Sequence, residues 1–533
     1  MLNLKSIKLL TKTELNLWFY SFIFLSLSFS PLIFNFIWGN HDWNPVLNGN
    51  SLHSGLIEGR ITQFLFLNFL LDGHIFPILN ICLGFLAYTL SIVILTTRFF
   101  EFEASYLKTS IIIILISTLS YINEIIYFQF IIFSQLIWPL IITLSLLCYK
   151  KAVSSNTILY TILSTILLYT SIAGYPASAN LFVTAISLYL IQQYNTHSSI
   201  KLIFKQSIPF IIILSISFFL LIISYEYLRN QNVMMDKYNT STSSLIEIIQ
   251  KLPTIFILSI KSLLQPQPFF SIAYKLLSSI FCLGFGYIYI YNHKNKKDMA
   301  IRILLILAVF ISIKFSALLT SENNDSYFPK HDPIAYMVRA DFYSIPCFIL
   351  FCLFYILKTT PKSIQNITIL LSTFLIFINI NQNLNYSKVQ LLGFNSEINL
   401  LNRITSRIEN SFAFNPKNFY TVVQTGDIPL RSRYYTPQPF EKYGFYNLQV
   451  ALVRHWLPHE FYNFYHPSNF VLSNSAINPH ELTRQMVLFL SQKVKTWPSH
   501  TSTFVNNKYA VIALSDEGRK MLQEQFKNLI KRK

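Results

Sequence analysis

The sequence predicts a mainly α, polytopic membrane protein with about 11 transmembrane helices, followed by a C-terminal soluble α/β domain. Apolar residues make up 52% of the 533 residues, and charged residues only 12%. The apolar residues form long blocks separated by short charged breaks, which is typical of membrane-spanning helices and not of a soluble core. Blocks such as 210–223 and 304–313 leave no polar helical face, so lipid or other buried helices must surround them.

The membrane domain is predicted to occupy residues 1–381. Its spans are predicted at 17–39, 75–97, 107–122, 125–148, 157–174, 176–193, 207–228, 270–292, 300–320, 342–358 and 363–381. The first block is interpreted as a retained span and not as a signal peptide, because it is long and lacks a small-residue cleavage pattern. Residues 61–71 and 253–265 are interpreted as interfacial or re-entrant segments.

The Lys and Arg residues predict the orientation of these spans. They fall on alternate breaks: the N-terminus, Arg98 with Lys108, Lys150 with Lys151, Lys201 with Lys205, Lys294 with Lys296 and Lys297, and Lys358 with Lys362. Such breaks are expected to be cytoplasmic, so the loops 40–74, 229–269 and 321–341 and the domain 382–533 are expected outside. The net charge of +18 is therefore assigned to orientation and lipid contact, and nucleic acid is excluded as a partner.

The composition changes after Ile380, where Asn, Pro, Tyr and His become more frequent. Strand-like runs at 419–423 and 509–514 lie between helical patterns, and Ser515 is suited to cap a final helix. This mixture is typical of a soluble α/β module.

The first external loop holds the strongest candidates for chemistry, in the run His41-Asp42-Trp43. A carboxylate directly after the first span is expected at the membrane surface, where it can deprotonate a hydroxyl arriving from water. Asp42 is the candidate base, and His41 and Glu58 can assist it. The alternative is a solvated loop in which Trp43 anchors at the interface and Arg60 meets lipid headgroups.

Two short external turns add further candidates. Glu124 lies between two apolar blocks, a costly place for a carboxylate unless it faces water or a polar cavity. It is therefore a candidate for acceptor binding or acid/base assistance, and the alternative is simple exposure at the surface. The run Gly174-Tyr175-Pro176 predicts a tight turn between two spans.

The loop 321–341 holds the candidate phosphate contacts. Arg339 stands just before the next span, where a guanidinium can hold a lipid-linked phosphate with two hydrogen bonds. Lys330 and His331 can add charge to the same phosphate. The alternative is an arginine that extends its charged end to the interface from a solvated loop.

Several familiar motifs are absent from the sequence. It contains no Walker-type phosphate loop, dinucleotide glycine fingerprint, zincin helix or paired CxxC. His455 and His459 are four residues apart, but Pro458 between them disfavours a helical metal-ligand pair. No cofactor and no metal ligands are therefore predicted, and a divalent cation stays open.

These features together resemble the membrane glycosyltransferases of the GT-C class, and most of all the GtrII-type O-antigen glucosyltransferase family of bacteria. The resemblance is carried by the first span with its acidic loop His41-Asp42-Trp43, the pair Gly59-Arg60 before a span led by Pro77, about ten further spans and a terminal outward domain, and more loosely by Gly174-Tyr175 and Arg339. Family members often have two consecutive acidic residues in this loop, whereas His41 takes the first place here.

The resemblance implies a multi-pass enzyme of the bacterial inner membrane, with a cytoplasmic N-terminus and a periplasmic C-terminal domain. It would move a hexose, with glucose the first candidate, from a polyprenyl-phosphate sugar to a polysaccharide or lipid-linked saccharide such as the O-antigen of lipopolysaccharide. The residues and the resemblance together predict catalytic roles for Asp42, Glu58 and Glu124, donor-phosphate binding for Arg339, Lys330, His331 and Arg60, and acceptor binding for His41, Trp43 and Tyr175.

Three alternatives stay open at this point. The first is a transporter or flippase of lipid-linked saccharide, which shares the many spans and cationic sites. The second is another GT-C enzyme or an O-antigen polymerase with a different donor. The third is a non-catalytic membrane scaffold.

Overall fold

The computed structural model describes residues 10–35, 56, 59–71, 76–126, 132–155, 157–197, 199–233, 244–264, 272–291, 296–319, 333–418, 420–425, 470–472, 489, 495–496, 498–513, 516, 519–520 and 523–524. The chain divides into two compact units. The boundary between them falls between Ser387 and Lys388, inside a long helix.

The first unit is helical throughout its described part. Its helices are α1 (Lys12–Ser28), α2 (Ser30–Phe34), α3 (Ile61–Leu71), α4 (Pro77–Ile94), α5 (Tyr106–Ser117), α6 (Asn123–Ile126), α7 (Ile132–Ser155), α8 (Ile158–Ile172), α9 (Ala179–His197), α10 (Ile200–Asn230), α11 (Leu245–Leu264), α12 (Ile272–Tyr291), α13 (Lys296–Ile313), α14 (Phe315–Leu319), α15 (Pro333–Thr359) and the start of α16 (Lys362–Glu409). A π-helical turn (Leu95–Phe99) and two short 3-10 helices (Ser120–Ile122 and Pro176–Ser178) join some of them.

Six helices in the described ranges are long and apolar enough to cross a membrane. They are Ile78–Phe99, Ile132–Ser155, Ile200–Asn230, Ile272–Ile290, Asp341–Thr359 and Lys362–Leu392. Helices of this kind indicate an integral membrane protein that crosses the bilayer several times. Each of the eleven predicted spans overlaps a helix, but segments such as Tyr106–Ile122 and Ile158–Ile172 are shorter, so the count of eleven stays a prediction.

Some predicted boundaries differ from those of the structure. Helix α16 continues past 381 as far as Glu409, although its sequence becomes rich in Asn. Helix α11 occupies much of the predicted external segment 229–269 and includes most of its part 253–265, which the sequence predicts as interfacial or re-entrant. Helix α15 begins at Pro333 within the predicted loop 321–341. Polar residues favour a loop in these places, whereas a helix tolerates them at a cost below about 1 kcal/mol each.

Helix α15 lies at the centre of the first unit, packed against α9 and α12. Of its most apolar window, Asp341–Thr359, 89% is buried. The corresponding window of α10 is only 17% buried, although α10 has a higher mean hydropathy. An apolar helix with so much exposed surface requires lipid around it, so α10 is a peripheral helix and α15 a central one.

Helix α1 begins with a capping box. The Glu14 amide donates to the Thr11 hydroxyl, and the Glu14 carboxylate accepts from the Thr11 amide at 2.8 Å. The same carboxylate accepts from Arg98 through both Nε (2.7 Å) and Nη2 (2.8 Å), at the far end of α4. One buried carboxylate thus caps α1 and joins it to α4.

These contacts predict a pH-dependent contribution of Glu14 to stability. The hydrogen bond from Arg98 holds the pKa of Glu14 down at about 2, against 4.5 normally and in spite of burial. A carboxyl with a depressed pKa stabilises the fold above its unfolded pKa, by about 2–3 kcal/mol here, and this is lost as pH falls toward 2.

We therefore expect Glu14→Gln to lower the free energy of unfolding at pH 7. At pH 3 the decrease should be less than half as large. Both are measured by thermal unfolding of detergent-solubilised protein. Glu226→Gln is the control, because the Glu226–Arg229 pair is exposed on both sides. An equal effect of Glu14→Gln at both pH values would contradict this account.

Basic groups lie close together where α1 begins and where α4 and α7 end. The Lys150 ammonium, in the last turns of α7, donates to the carbonyls of Arg98 (3.0 Å) and Phe99 (2.8 Å) and pairs with Glu101. The π-helical turn at the end of α4 presents these carbonyls because it interrupts the ordinary ladder. Lys150 lies 15 residues from Gln135 at the other end of α7, roughly 22 Å along the axis.

The second unit contains a four-stranded sheet in the order β2-β1-β4-β3. Its strands are β1 (Tyr420–Thr425), β2 (Phe470–Leu472), β3 (Thr503–Val505) and β4 (Tyr509–Ala513). Strand β1 pairs in parallel with β2 and β4, and β3 is antiparallel to β4. Central strands of this kind are buried on both faces, which explains why the run in β4 is apolar at every position. The helix predicted after Ser515 lies largely outside the described residues.

Candidate functional site

The sequence-predicted site residues fall into three groups. Six lie outside the described residues: His41, Asp42, Trp43, Glu58, Lys330 and His331. Glu124 and Arg339 have a described backbone only. Arg60 and Tyr175 are described completely, and they are in contact.

The backbone of Glu124 and Arg339 differs from the sequence prediction. Glu124 belongs to the short helix α6 and not to a turn. Arg339 and Asp341 belong to α15 and not to a loop. Pro333 starts this helix, since its fixed φ suits the first helical position, and the charged residues after it continue the helix.

Arg60 is positioned by the turn that starts α3. Gly59 has a φ of 76°, in the left-handed region that glycine adopts without strain. The carbonyl of Arg60 then accepts from the amide of Phe64, so Arg60 caps the helix. Its guanidinium carbon lies 5.1 Å from the centre of the Tyr175 ring, within the range of a cation–π contact.

Tyr175 is held in a tight turn between α8 and the 3-10 helix that precedes α9. The amide of Tyr175 donates to the Ser171 carbonyl at 2.9 Å, and the ring is buried. Gly174 before it lies directly against the fully buried Trp138 ring of α7, where a side chain has no space. Close packing of the backbone on Trp138 therefore fixes the direction of Tyr175.

Two amides and a second tyrosine complete the group. The rings of Tyr175 and Tyr343 are 5.9 Å apart, and the Tyr343 hydroxyl donates to Gln135 Oε1 at 2.9 Å. The Gln135 amide in turn donates to Gln63 Oε1 at 3.3 Å. Gln63 lies in α3, about one turn after Arg60. We call Arg60, Gln63, Gln135, Tyr175 and Tyr343 the Arg60 cluster. It joins α3, α7 and α15 to the turn between α8 and α9.

A buried ion pair lies on the same helix as Tyr343. Asp341 of α15 pairs with Lys314, the residue between α13 and α14, and their side chains are 5% and 0% exposed. The Ser344 hydroxyl donates to the carbonyl of Ile313 at 3.0 Å, and the amide of Ser316 donates to Asn180 Oδ1 at 2.7 Å. Polar groups thus surround both ends of the interruption between α13 and α14.

The sequence does not predict this ion pair. It places Asp341 in the external loop 321–341 and Lys314 in the span 300–320. The available signal was Lys314 itself, because an ionisable residue inside an apolar block needs a partner and is a default candidate for function.

The Arg60 cluster combines a guanidinium stacked on an aromatic ring with buried polar side chains. A guanidinium stacked in this way keeps the planar donor fork that suits a phosphate. Glutamine amides and tyrosine hydroxyls can both donate and accept, and in this cluster the side chains of Gln63, Gln135 and Tyr343 are buried and hydrogen-bonded to one another. Among the described residues, no group of three His, Cys, Asp or Glu side chains is placed to hold a metal ion.

No protein-family model matches the chain, and no curated protein matches it significantly.

The contact between Gly174 and Trp138 gives a test of the geometry of the turn. We expect Gly174→Ala to lower the free energy of unfolding by about 1–3 kcal/mol, because the added methyl group must displace the Trp138 ring. The control is Gly286→Ala, since a Cβ at Gly286 meets nothing within 4 Å. Equal thermal midpoints for the two variants would show that the turn does not pack on Trp138.

Proposed function

We propose that the chain is a membrane glycosyltransferase of GT-C-like architecture with eleven spans. It moves a hexose, with glucose the first candidate, from a polyprenyl-phosphate donor to a cell-surface saccharide such as O-antigen. The reaction takes place at the periplasmic face of a bacterial inner membrane. The N-terminus is cytoplasmic, and the C-terminal domain is periplasmic.

The contact of Arg60 with Tyr175 is the observation that carries the proposal. Both residues are candidates from sequence, and 115 positions separate them. Their contact joins a candidate phosphate ligand to a candidate saccharide ligand at the ends of apolar helices. A lipid-phosphate donor needs such a cation at headgroup level, and an acceptor sugar needs aromatic and amide groups beside it.

The orientation is supported by the position of the basic groups along α7. Lys150, with its partners at Arg98, lies near one end of this helix, and Gln135 of the Arg60 cluster lies near the other. Because Lys and Arg favour the cytoplasmic side, the Arg60 cluster is assigned to the periplasmic side.

The reaction proposed is one direct displacement. The acceptor hydroxyl oxygen forms a bond to the anomeric carbon, and the bond from that carbon to the phosphate oxygen breaks. Asp42 takes the hydroxyl proton, with Glu58 or Glu124 assisting. Polyprenyl phosphate leaves with the bonding electrons, and Arg60 and Arg339, with Lys330 and His331, stabilise its charge. One displacement inverts the anomeric configuration.

Substitution of Asp42 and Arg339 tests whether the chain is an enzyme. We expect Asp42→Asn and Arg339→Ala to abolish transfer from polyprenyl-phosphate glucose to an acceptor polysaccharide, while membrane insertion stays normal. Glu226→Gln and Arg229→Ala are the controls, because they remove a carboxylate and a cation from an exposed pair. Full activity of both site variants would exclude these roles and favour a scaffold.

The buried ion pair favours a second candidate, a transporter or flippase of lipid-linked saccharide. Ionisable pairs among apolar helices mark many ion-coupled transport pathways, and Lys314–Asp341 lies where α13 is interrupted. A transporter moves the donor lipid between leaflets and forms no glycosidic bond. Chemical analysis of the product therefore separates the two candidates.

A further inference from the structure

The second unit contains an open cleft of about 680 Å³. It lies between the C-terminal end of α16 and the segment that leads into β3. Pockets that bind small ligands have volumes of roughly 300–1,000 Å³, so the cleft is large enough for a short saccharide.

The cleft is lined by positive charge. Arg403 and Arg407 are four residues apart on α16 and share one face of the helix, and His500 lines the opposite side. None of the nine lining residues is acidic. Like charges at this spacing repel each other, and burial together with the charge of Arg403 lowers the pKa of Arg407. A bound anion would relieve this repulsion.

Arg407 is held by two hydrogen bonds to the backbone. Arg407 Nη1 donates to the carbonyls of Pro498 and Ser499, each at 3.0 Å. This holds the guanidinium toward the segment that carries His500. Arg403, one turn earlier, is exposed at the rim of the cleft.

The rest of the lining suits hydroxyl groups more than an apolar ligand. Five further lining residues have amide or hydroxyl side chains, and the only aliphatic one is Val505: the five are Asn402, Ser406, Asn410, Ser411 and Thr503. Such groups can both donate to and accept from sugar hydroxyls. A lipid tail has no matching surface here.

We infer that this cleft binds an anionic saccharide, with Arg403 and His500 contacting its carboxylate or phosphate and the amide and hydroxyl side chains contacting its ring hydroxyls. The inference goes beyond the proposed reaction, because binding here requires no transfer of sugar. It assigns to the second unit the recognition of an acidic glycan.

Binding is measured with the full-length protein in phosphatidylcholine nanodiscs. The probes are trigalacturonate, the neutral maltotriose and inorganic phosphate. We expect trigalacturonate to bind more tightly than either of the other two. Arg403→Gln and His500→Gln should each weaken its binding by about 10-fold, since a charge-assisted hydrogen bond is lost. Lys417→Gln is the control, because Lys417 is an exposed cation of the same unit outside the cleft.

Four results would overturn the inference. They are equal binding of maltotriose and trigalacturonate, phosphate binding as tight as that of trigalacturonate, no effect of Arg403→Gln and His500→Gln, and no binding of trigalacturonate in phosphatidylcholine nanodiscs. The third would mean that neither side chain contacts the saccharide. Transfer to a neutral acceptor is assayed on the same variants, so a failure of the proposed reaction is distinguishable from a failure of this site.

Discussion

Asp341→Leu is expected to lower the free energy of unfolding by about 3–5 kcal/mol, because it leaves the Lys314 ammonium buried without its partner. Lys314→Met should cost a similar amount for the converse reason. The double variant Lys314→Met/Asp341→Leu removes both charges and should recover most of the loss, since two apolar side chains of similar volume replace the pair. Thermal unfolding in detergent micelles, followed by tryptophan fluorescence, measures all three.

The matched control for this series is the exposed pair Glu226–Arg229, whose side chains are 53% and 39% exposed. Breaking it with Arg229→Ala should change stability by less than about 1 kcal/mol. If Asp341→Leu were no more destabilising than Arg229→Ala, Lys314 and Asp341 would not form a buried ion pair. If the double variant were as unstable as the sum of the single ones, the loss would come from packing and not from charge.

Arg60→Ala is expected to reduce the rate of transfer from polyprenyl-phosphate glucose by about 10²–10³-fold, the effect of removing one group that stabilises developing charge. Arg60→Lys should fall between this variant and the wild type, because it keeps the charge but loses the planar fork. Steady-state assays with varied donor concentration should show a lower kcat as well as a higher KM for the donor.

Two substitutions of Tyr175 distinguish the role of its ring, which stacks on Arg60, from the role of its hydroxyl. Tyr175→Phe keeps the ring under Arg60 and should retain nearly full activity. Tyr175→Leu removes the cation–π contact and should reduce transfer by about 2- to 30-fold. Arg229→Ala controls for the general loss of a cation. If the Arg60→Ala variant were as active as Arg229→Ala, Arg60 would have no role in the transfer reaction.

The helices were predictable from sequence because long apolar blocks have few other solutions. Helix ends were harder, as α16 shows: its Asn-rich part after Ile380 resembles the end of a span, but the helix continues to Glu409. In the second unit, the runs that become β1 and β4 were visible as apolar segments. The three-residue strands β2 and β3 gave no periodic signal.

The candidate site was only partly predictable. Local sequence singled out Arg60 and Tyr175, but nothing in it predicted their contact, which depends on the packing of α3 and α7 and the turn after α8. The position of Lys314 inside an apolar block indicates that it has a buried partner. The sequence does not identify that partner as Asp341, because 27 positions and the predicted loop 321–341 separate the two residues.

The most direct test of the central claim is chemical analysis of the product formed in a purified system. The protein is reconstituted in liposomes with polyprenyl-phosphate [¹³C]glucose and an acceptor polysaccharide, and the labelled carbon is followed by NMR. We expect a new glycosidic bond with inverted anomeric configuration, one polyprenyl phosphate released for each bond formed, and loss of both in Arg60→Ala. Movement of intact donor between leaflets without any new bond would contradict it.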